Sequence, residues 1–370
     1  MLIYIMKKIR ILQVIPALTL GGISSVVMNW YRNLDRSKYQ FDFISFNDGP
    51  LRQEILALGG KIDIIATIKQ QPIEHIKAIN RILSSTPRYD VVHVHNSFKN
   101  GLLLWLAKYK GIKVRVCHSH TSGVENKLLL PFIGLLKSIV IRASNVHLAC
   151  GVSAGKFLYA KQPFTVLNNA ISVPLYLAKP QDNSDLRQQF GLPLDKKIVL
   201  HVGRFSVVKN HQFLLQLAQQ RNLDSSIHFV CVGEGPLKDD FARKIQAENQ
   251  QARFTLLPAT PNIAQLLQSA DGFIMPSLFE GISVALLEAQ ASALPCLISN
   301  TIAKESDMGL KLISFHDLDD RSSWLEQLNH LSAVYLTDEE ISTAFLEQGF
   351  STEGVLRQLT ALYHTREFTC

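Results

Sequence analysis

Two glutamates eight residues apart, Glu280 and Glu288, lie in a stretch that reads as strand, loop, helix and strand. The apolar runs 272–275 and 296–298 predict the strands, and the polar turn after the first run opens a helix rich in small residues. Glu280 falls on the loop, and Glu288 falls about two helical turns later, on nearly the same face. We therefore expect two carboxylates beside a crevice at the carboxyl end of a sheet, where α/β sheets bind ligands. The free N–H groups at the start of the helix favour an anion such as a diphosphate.

Two cations five residues apart, Arg204 and Lys209, follow another predicted strand that ends near Gly203. The next predicted helix starts near Asn210, so both cations fall on a loop between a strand and a helix. A diphosphate needs positive groups on neighbouring oxygens, and Arg adds a two-pronged hydrogen-bonding fork. The loop therefore favours a diphosphate site, and the alternative is a pair of ordinary surface cations.

Two histidines, His118 and His120, lie at the end of a further predicted strand. At a strand tip they suit acid–base chemistry or hydrogen bonds to sugar hydroxyls. The preceding strand carries His93 and His95 on one face. We expect His95 and Asn96 to reach the crevice, whereas His93 is more typical of a packed core.

The sequence predicts neither a metal site nor a disulfide framework. The spacing of His118 and His120 suits zinc, but no third ligand follows at a sensible distance. The five cysteines show no paired spacing and mostly lie in apolar runs, which is typical of a protein from a reducing compartment.

The alternation of strands and helices along the chain predicts parallel sheets with helices on both faces. A strand at 8–16 leads through Gly21 and Gly22 into a helix at 24–34, the first unit of a doubly wound sheet. These glycines either let the backbone approach a ligand or only form a tight turn. Because 370 residues exceed what one core usually supports, two domains are expected. The predicted bounds are 1–172 and 173–351, with a last helix at about 352–368 that packs back on the first domain.

The net charge divides unevenly between the halves. Residues 1–172 hold 22 Lys and Arg against 8 Asp and Glu, and the remainder holds 16 against 23. The basic half favours an anionic partner, either a membrane surface or a phosphorylated substrate. Nucleic acid is not expected, because no basic helix and no interleaving of aromatic and basic residues is present.

No part of the sequence resembles a membrane span or a signal peptide. The longest apolar run, 128–136, is too short for a bilayer, and the stretch 128–141 suits either an interfacial helix or burial against the sheet. Basic residues follow the apolar start instead of preceding it, so either Met1 or Met6 is the expected first residue. We expect a cytoplasmic protein.

These motifs together resemble the retaining glycosyltransferases of family 4, with the GT-B fold of two Rossmann-like domains facing a central cleft, and within them the bacterial capsule and exopolysaccharide branch. The likeness covers nearly the whole chain and depends mainly on Arg204 and Lys209 followed by the Glu280 and Glu288 pair. Supporting elements are Gly21-Gly22, His118-Ser-His120, Asn168-Asn169-Ala-Ile and Gly233-Glu-Gly235-Pro.

The resemblance implies a role for each matching residue. Arg204 and Lys209 would hold the donor diphosphate, Glu288 would bond the ribose hydroxyls, and Glu280 would contact the donor sugar. His120 is preferred to His118 as the histidine at the donor sugar. The expected donor-binding set also includes Gly22, Gly203, Gly235, Gly281, Ile282, Ser283 and Val284. The base would lie near 233–236 and 258–260.

Three positions depart from the family pattern. Ser283 replaces a frequent Gly, Ser172 a usual Asp, and Pro258 a common Gly. None removes a charged group from the diphosphate site, but Pro258 leaves the choice of nucleotide open.

The function implied is metal-independent hexosyl transfer with retention, from a nucleotide sugar to a hydroxyl acceptor, and the expected donor is a UDP-sugar. The acceptor would be a saccharide or a polyprenyl-diphosphate-linked saccharide, docked by the first domain at the inner membrane face, and no cofactor is expected. The alternatives are a nucleotide-sugar epimerase or hydrolase and a non-catalytic nucleotide-sugar-binding subunit. The sequence does not name the sugar or the acceptor.

Overall fold

The computed structural model describes residues 8–19, 22–95, 100–121, 131–177 and 182–364. The chain divides into two units, one formed by the residues up to Ala170 with those from Thr352 onward, the other by Ile171–Ser351. The boundary expected from the sequence, between residues 172 and 173, lies two residues from this division.

The first unit contains a seven-stranded parallel sheet with the order β3-β2-β1-β4-β5-β6-β7. Its strands are β1 Ile9–Ile15, β2 Tyr39–Ser45, β3 Ile62–Ile64, β4 Val91–Val94, β5 Val114–Ser119, β6 Val146–Ala149 and β7 Thr165–Val166. Its helices up to residue 170 are α1 Gly22–Asn33, α2 Arg52–Ala57, α3 Pro72–Leu83, α4 Gly101–Tyr109, α5 Ile133–Ala143 and α6 Val152–Tyr159.

The second unit contains a six-stranded parallel sheet with the order β10-β9-β8-β11-β12-β13. Its strands are β8 Lys197–Val202, β9 Ile227–Val232, β10 Phe254–Leu257, β11 Gly272–Met275, β12 Cys296–Ser299 and β13 Ile313–His316. Its helices are α7 Pro174–Leu177, α8 Ser184–Gln189, α9 His211–Ala218, α10 Lys238–Ala247, α11 Ile263–Ser269, α12 Val284–Ala291, α13 Arg321–Asn329 and α14 Asp338–Glu347. The prediction of strand, loop, helix and strand over 272–299 is confirmed by β11, α12 and β12.

The strands are largely apolar because both faces of each sheet are covered. In β8, Ile198 and Leu200 pack into one buried cluster, whereas Val199 packs into a second cluster on the opposite face. Strand order reverses between β1 and β4 in the first unit and between β8 and β11 in the second. Ligands of doubly wound sheets bind beside such a reversal, at the carboxyl ends of the strands.

The last described helix, α15 Thr352–Tyr363, belongs to the first unit. Its buried residues are Thr352, Val355, Leu356, Leu359 and Tyr363, which share one face. Asn29 of α1 donates hydrogen bonds to the Thr352 hydroxyl and to the Ala170 carbonyl, both at 2.8 Å. The helix was expected to extend to about residue 368, but positions 365–368 lie outside the described residues.

Candidate active site

Lys209 and Glu280 form an ion pair at the strand reversal of the second unit. Lys209 Nζ lies 2.5 Å from Glu280 Oε2, and their side chains are 17% and 24% exposed. Lys209 follows β8 and Glu280 follows β11, and these two strands are neighbours in the sheet. The sheet order thus brings together two side chains that are 71 residues apart in the sequence.

The loop that carries Lys209 is fastened to the loop that carries Glu280. Asn210 adopts a left-handed backbone conformation, with φ of 55°, and its amide donates to the Pro276 carbonyl at 3.0 Å. The Leu278 N–H donates to the Val208 carbonyl at 2.8 Å. These bonds hold both loops in register, so the ion pair is part of a fixed backbone arrangement.

The loop of Glu280 is also held from its other side. The Ala303 N–H donates to the Glu280 carbonyl at 3.1 Å. Ser299 Oγ and Thr301 Oγ1 both donate to the Ser277 carbonyl, at 2.6 and 2.9 Å. The carbonyls of Pro276, Ser277 and Glu280 therefore anchor this loop, whereas the Glu280 carboxylate pairs with Lys209.

Arg204 is exposed, in contrast to Lys209. Among the described residues, no acidic side chain forms an ion pair with it. A cation without a protein partner, on the same loop as one with a carboxylate partner, is suited to an external anion. The structure therefore places both predicted diphosphate ligands on one loop but in different electrostatic settings.

The predicted glycines of this region have packing reasons of their own. A Cβ at Gly235, where φ is 156°, would lie 2.4 Å from the Phe205 carbonyl oxygen, and one at Gly233 would lie 2.1 Å from the Gly203 carbonyl oxygen. The loops after β8 and β9 therefore approach closely only because both positions lack side chains. A Cβ at Gly203 would lie 3.2 to 3.4 Å from the Lys209 stem, so this glycine leaves room for the lysine.

Glu288 lies in the interior of α12 and accepts a 2.7 Å hydrogen bond from the Tyr176 hydroxyl. Burial raises the pKa of its carboxyl to about 7, and the bond from Tyr176 opposes this rise only in part. As expected, Glu280 lies in the loop before α12, but Glu288 lies only about one turn into the helix instead of two, because α12 begins at Val284.

The remaining predicted positions of this loop surround the start of α12. Gly281 is exposed, and a Cβ there would meet no atom within 4 Å of the described structure. Ser283 is buried and precedes the helix, but its side chain makes no capping hydrogen bond. Ile282 and Val284 are partly buried and pack against the apolar core. The helix start therefore keeps N–H groups that an anion is able to use.

In the first unit, the four predicted histidines form one cluster at the ends of β4 and β5. His93, His95 and His118 are at most 1% exposed, whereas His120 is only partly buried. The expectation that His95 is open to a ligand was wrong, because its two ring nitrogens contact His120 Nε2 at 3.0 Å and Gln13 Oε1 at 2.8 Å. Asn96 lies outside the described residues. Of the two alternatives for a ligand contact, the structure favours His120 over His118.

Burial keeps these imidazoles uncharged. It holds the pKa of His93, His95 and His118 well below the usual value, and the neighbouring imidazoles lower the pKa further. Desolvation lowers the pKa of His120 to about 3. All four rings are therefore neutral at physiological pH.

Three of the four histidines place one nitrogen each within 4.8 Å of one another, as a metal site requires. However, His93 and His95 use both ring nitrogens in hydrogen bonds, and their rings stack with centroids 4.1 Å apart. Nitrogen lone pairs lie in the ring planes, so stacked rings do not direct them at a common point. The donor set thus fits a hydrogen-bonded cluster better than a metal centre.

Sequence reasoning missed the partners of this cluster. Gln13 on β1 and Tyr363 on α15 bond to His95 and His93, but 350 residues separate them in the sequence. The only sequence signal was the polar Gln13 within the apolar run Ile11–Ile15 of β1. Gly22, predicted to lie near the phosphates, is the first residue of α1, and Gly21 lies outside the described residues.

The comparisons with known proteins agree with this architecture. Residues 20–172 match the Glycosyltransferase Family 4 model, and residues 182–306 match the model of glycosyl transferases group 1. The chain is 32% identical to the putative glycosyltransferase EpsF of Bacillus subtilis, over 96% of both chains. It is 27% identical to an Escherichia coli UDP-Gal:alpha-D-GlcNAc-diphosphoundecaprenol alpha-1,3-galactosyltransferase, over 90% of this chain and 89% of the relative.

Among solved structures, Anabaena HepE in complex with UDP and glucose superposes with a TM-score of 0.77 and 16% identity, over 96% of this chain and 100% of that one. The two family models and the EpsF relative show that the chain belongs to the family 4 glycosyltransferases. The predicted GT-B fold class is confirmed, and so is glycosyltransferase activity as the function class. Within the described residues, no helix combines the length and apolar character needed to cross a bilayer.

Proposed function

We propose that this enzyme transfers a hexosyl group, with retention of anomeric configuration, from a UDP-sugar to a hydroxyl of a lipid-linked saccharide in surface polysaccharide synthesis. The observation that carries this proposal is the cationic loop after β8, where Lys209 is paired with Glu280 and Arg204 is exposed. The relatives support the choice of substrates, since one is named for a UDP-galactose donor and a diphosphoundecaprenol-linked acceptor. The HepE complexes contain UDP.

The reaction needs stabilisation of a departing diphosphate. The bond from the anomeric carbon to the phosphate oxygen breaks, the acceptor oxygen bonds on the same face, and the acceptor proton passes to the leaving phosphate. Negative charge on the leaving group is stabilised by Arg204 and Lys209, which we propose to act without a metal ion. Glu280 keeps Lys209 in place before the donor arrives and then contacts the sugar.

The other roles follow the fixed positions of the side chains. Glu288, with Tyr176 on one carboxyl oxygen, retains acceptor capacity for the ribose hydroxyls. The N–H groups of residues 281–284, in the loop before α12 and at its first residue, bond the donor sugar and phosphate. We assign to His120, the partly exposed member of its cluster, a hydrogen bond with the donor sugar.

The test is a transfer assay with a panel of UDP-sugars, with and without a polyprenyl-diphosphate-linked saccharide. We expect release of UDP that depends on the acceptor, survives chelation of divalent metals, and gives an axial product linkage from an axial donor by NMR. Release of UDP with an epimerised sugar and no acceptor dependence would instead show an epimerase or hydrolase. Binding of UDP-sugar with no turnover under any acceptor would show a non-catalytic binding subunit.

We also propose peripheral contact of the first unit with an anionic membrane surface. Phe132 and Leu135, next to and on α5, are 60% and 63% exposed, and the first half of the chain carries the basic excess. Exposed apolar side chains on a basic unit suit the interface of an anionic bilayer. Co-sedimentation with vesicles of anionic phospholipid should fall for the Phe132→Ser and Leu135→Ser double variant, and equal binding of both proteins would refute this contact.

A further inference from the structure

Six polar side chains inside the first unit form one hydrogen-bonded chain that ends at His120. One branch runs from Gln13 Oε1 to His95 Nε2 at 2.8 Å, and from His95 Nδ1 to His120 Nε2 at 3.0 Å. The other branch runs from Gln13 Nε2 to the Tyr363 hydroxyl at 3.2 Å and from that hydroxyl to His93 Nδ1 at 2.8 Å. It ends with His93 Nε2 and His118 Nδ1, 3.3 Å apart.

The orientation of the Gln13 amide sets the order of the protons in these hydrogen bonds, because a neutral imidazole has one donor and one acceptor nitrogen. Gln13 Oε1 only accepts, so His95 Nε2 carries a proton and His95 Nδ1 is an acceptor. His120 Nε2 must then donate to His95 Nδ1. Consequently His120 Nδ1 carries no proton, and no described residue bonds to it.

The second branch is consistent with the same order. The Gln13 amide nitrogen donates to the Tyr363 oxygen, and the Tyr363 hydroxyl is free to donate to His93 Nδ1. His93 Nε2 then donates to His118 Nδ1. A half-turn of the Gln13 amide would reverse every donor in both branches, so the proton order depends on the orientation in which Oε1 faces His95 and Nε2 faces Tyr363.

We propose that Gln13 and Tyr363 are positioning residues that fix His120 as the Nε2-protonated tautomer and thereby present its bare Nδ1 as a hydrogen-bond acceptor. The substrate group that it recognises is a hydroxyl that donates, a sugar hydroxyl on the proposed function. That last assignment depends on the proposed function, but the tautomer does not. A donor sugar that lacks this hydroxyl, or carries fluorine there, has no proton to give and would be rejected.

Nitrogen NMR of the ligand-free enzyme with ¹⁵N-labelled histidine tests the tautomer directly. We expect a pyrrole-type Nε2 and a pyridine-type Nδ1 for His120, assigned by the loss of its signals in His120→Gln. A protonated Nδ1 in the wild-type enzyme would overturn the proposal, because it would mean the reversed chain. Metal-type shifts on one nitrogen each of His93, His95 and His118 would overturn it as well.

Substitutions of Gln13 and Tyr363 test whether these residues set the tautomer of His120. Gln13→Met removes the acceptor of His95, and we expect the His120 signals to move toward a tautomer mixture and turnover to fall about tenfold. Gln13→Glu keeps an acceptor at the same place and should restore the wild-type tautomer. Unchanged His120 nitrogen shifts in Gln13→Met would overturn the role of Gln13. Unchanged His120 nitrogen shifts in Tyr363→Phe would overturn the role of Tyr363.

A matched control lies in the same unit. The Tyr39 hydroxyl lies 2.8 Å from His364 Nε2. This tyrosine–histidine hydrogen bond does not belong to the hydrogen-bonded group that includes His120. Tyr39→Phe removes a bond of the same type and length as Tyr363→Phe does, so it should leave the His120 shifts in place. Because the readout needs no substrate, an intact tautomer pattern in an enzyme without transfer activity would refute the proposed function alone.

Discussion

Lys209 Nζ and Glu280 Oε2 lie 2.5 Å apart, and each side chain belongs to a loop that is hydrogen-bonded to the other. In this partly buried setting, the carboxylate holds the lysine at the place where an anion would meet it. On the proposed function, the pair holds the Lys209 ammonium ready for the donor diphosphate, so substitution of Lys209 should weaken donor binding most directly.

Replacement of the lysine should weaken nucleotide binding and turnover together. For Lys209→Ala we expect the affinity for UDP, measured by calorimetry, to fall about tenfold or more, because a charge-assisted contact is lost. Lys244→Ala is the control, since Lys244 forms an ion pair with Asp240 on the same unit but is 49% exposed. Unchanged UDP affinity in Lys209→Ala would contradict the diphosphate role.

The carboxyl of Glu288 should give nucleotide-sugar binding a pH dependence near neutrality. Its pKa of about 7 means that it is protonated below this pH and ionised above it. An ionised carboxylate accepts more hydrogen bonds from ribose hydroxyls, so affinity for the UDP-sugar should rise as pH increases through 7. Glu288→Gln should flatten the profile, and a profile that keeps its slope in this variant would rule out Glu288 as the titrating group.

The neutral histidine cluster should make the first unit sensitive to acid. The folded pKa values are depressed, so the unfolded chain binds more protons once the pH falls below about 6.5. The contribution of the uncharged histidines to the stability of the folded protein is complete above that pH and is lost as the pH falls toward 3. Urea unfolding at several pH values should show it.

His118→Phe should make that dependence shallower by up to about 1.4 kcal/mol per pH unit, because it removes one buried titrating ring. His330→Gln, at an exposed histidine, controls for the substitution itself. An equal slope of the free energy of unfolding against pH in wild-type and His118→Phe proteins would contradict the conclusion that burial keeps His118 uncharged.

The close approach of the loops after β8 and β9 should depend on Gly235. For Gly235→Ala we expect a loss of at least about 2 kcal/mol in the free energy of unfolding, since the methyl group meets the Phe205 carbonyl at a strained φ. Gly281→Ala, where the methyl group has open space, should unfold like wild type. Equal thermal unfolding of the two variants would show that the loops separate easily.

His120 should matter for transfer more than for nucleotide binding. In His120→Ala we expect UDP affinity to persist, because the proposed nucleotide ligands belong to the second unit, while acceptor-dependent transfer falls by at least about a hundredfold. Calorimetry and the transfer assay on the same preparation separate these effects. Retained turnover would move the role to His118.

The sequence alone determined the order of strands and helices and the positions of the candidate ligand residues relative to them. Apolar periodicity and turn residues predict the alternation of strands and helices. They also place Arg204, Lys209 and Glu280 after the ends of strands. Because the carboxyl ends of parallel strands share an edge, these positions already indicated a ligand site. The family resemblance added the residue roles, which stay predictions.

Only the tertiary structure decided which groups meet. Lys209 and Glu280 are 71 residues apart, and His93 and Tyr363 are 270 apart, so strand order and helix packing determine both contacts. Burial was also beyond the sequence: His95 reads like a ligand at a strand end, yet Gln13 and His120 occupy both of its nitrogens. Side-chain contacts across a fold depend on all the intervening elements, and for that reason the proton order that ends at His120 became visible only in three dimensions.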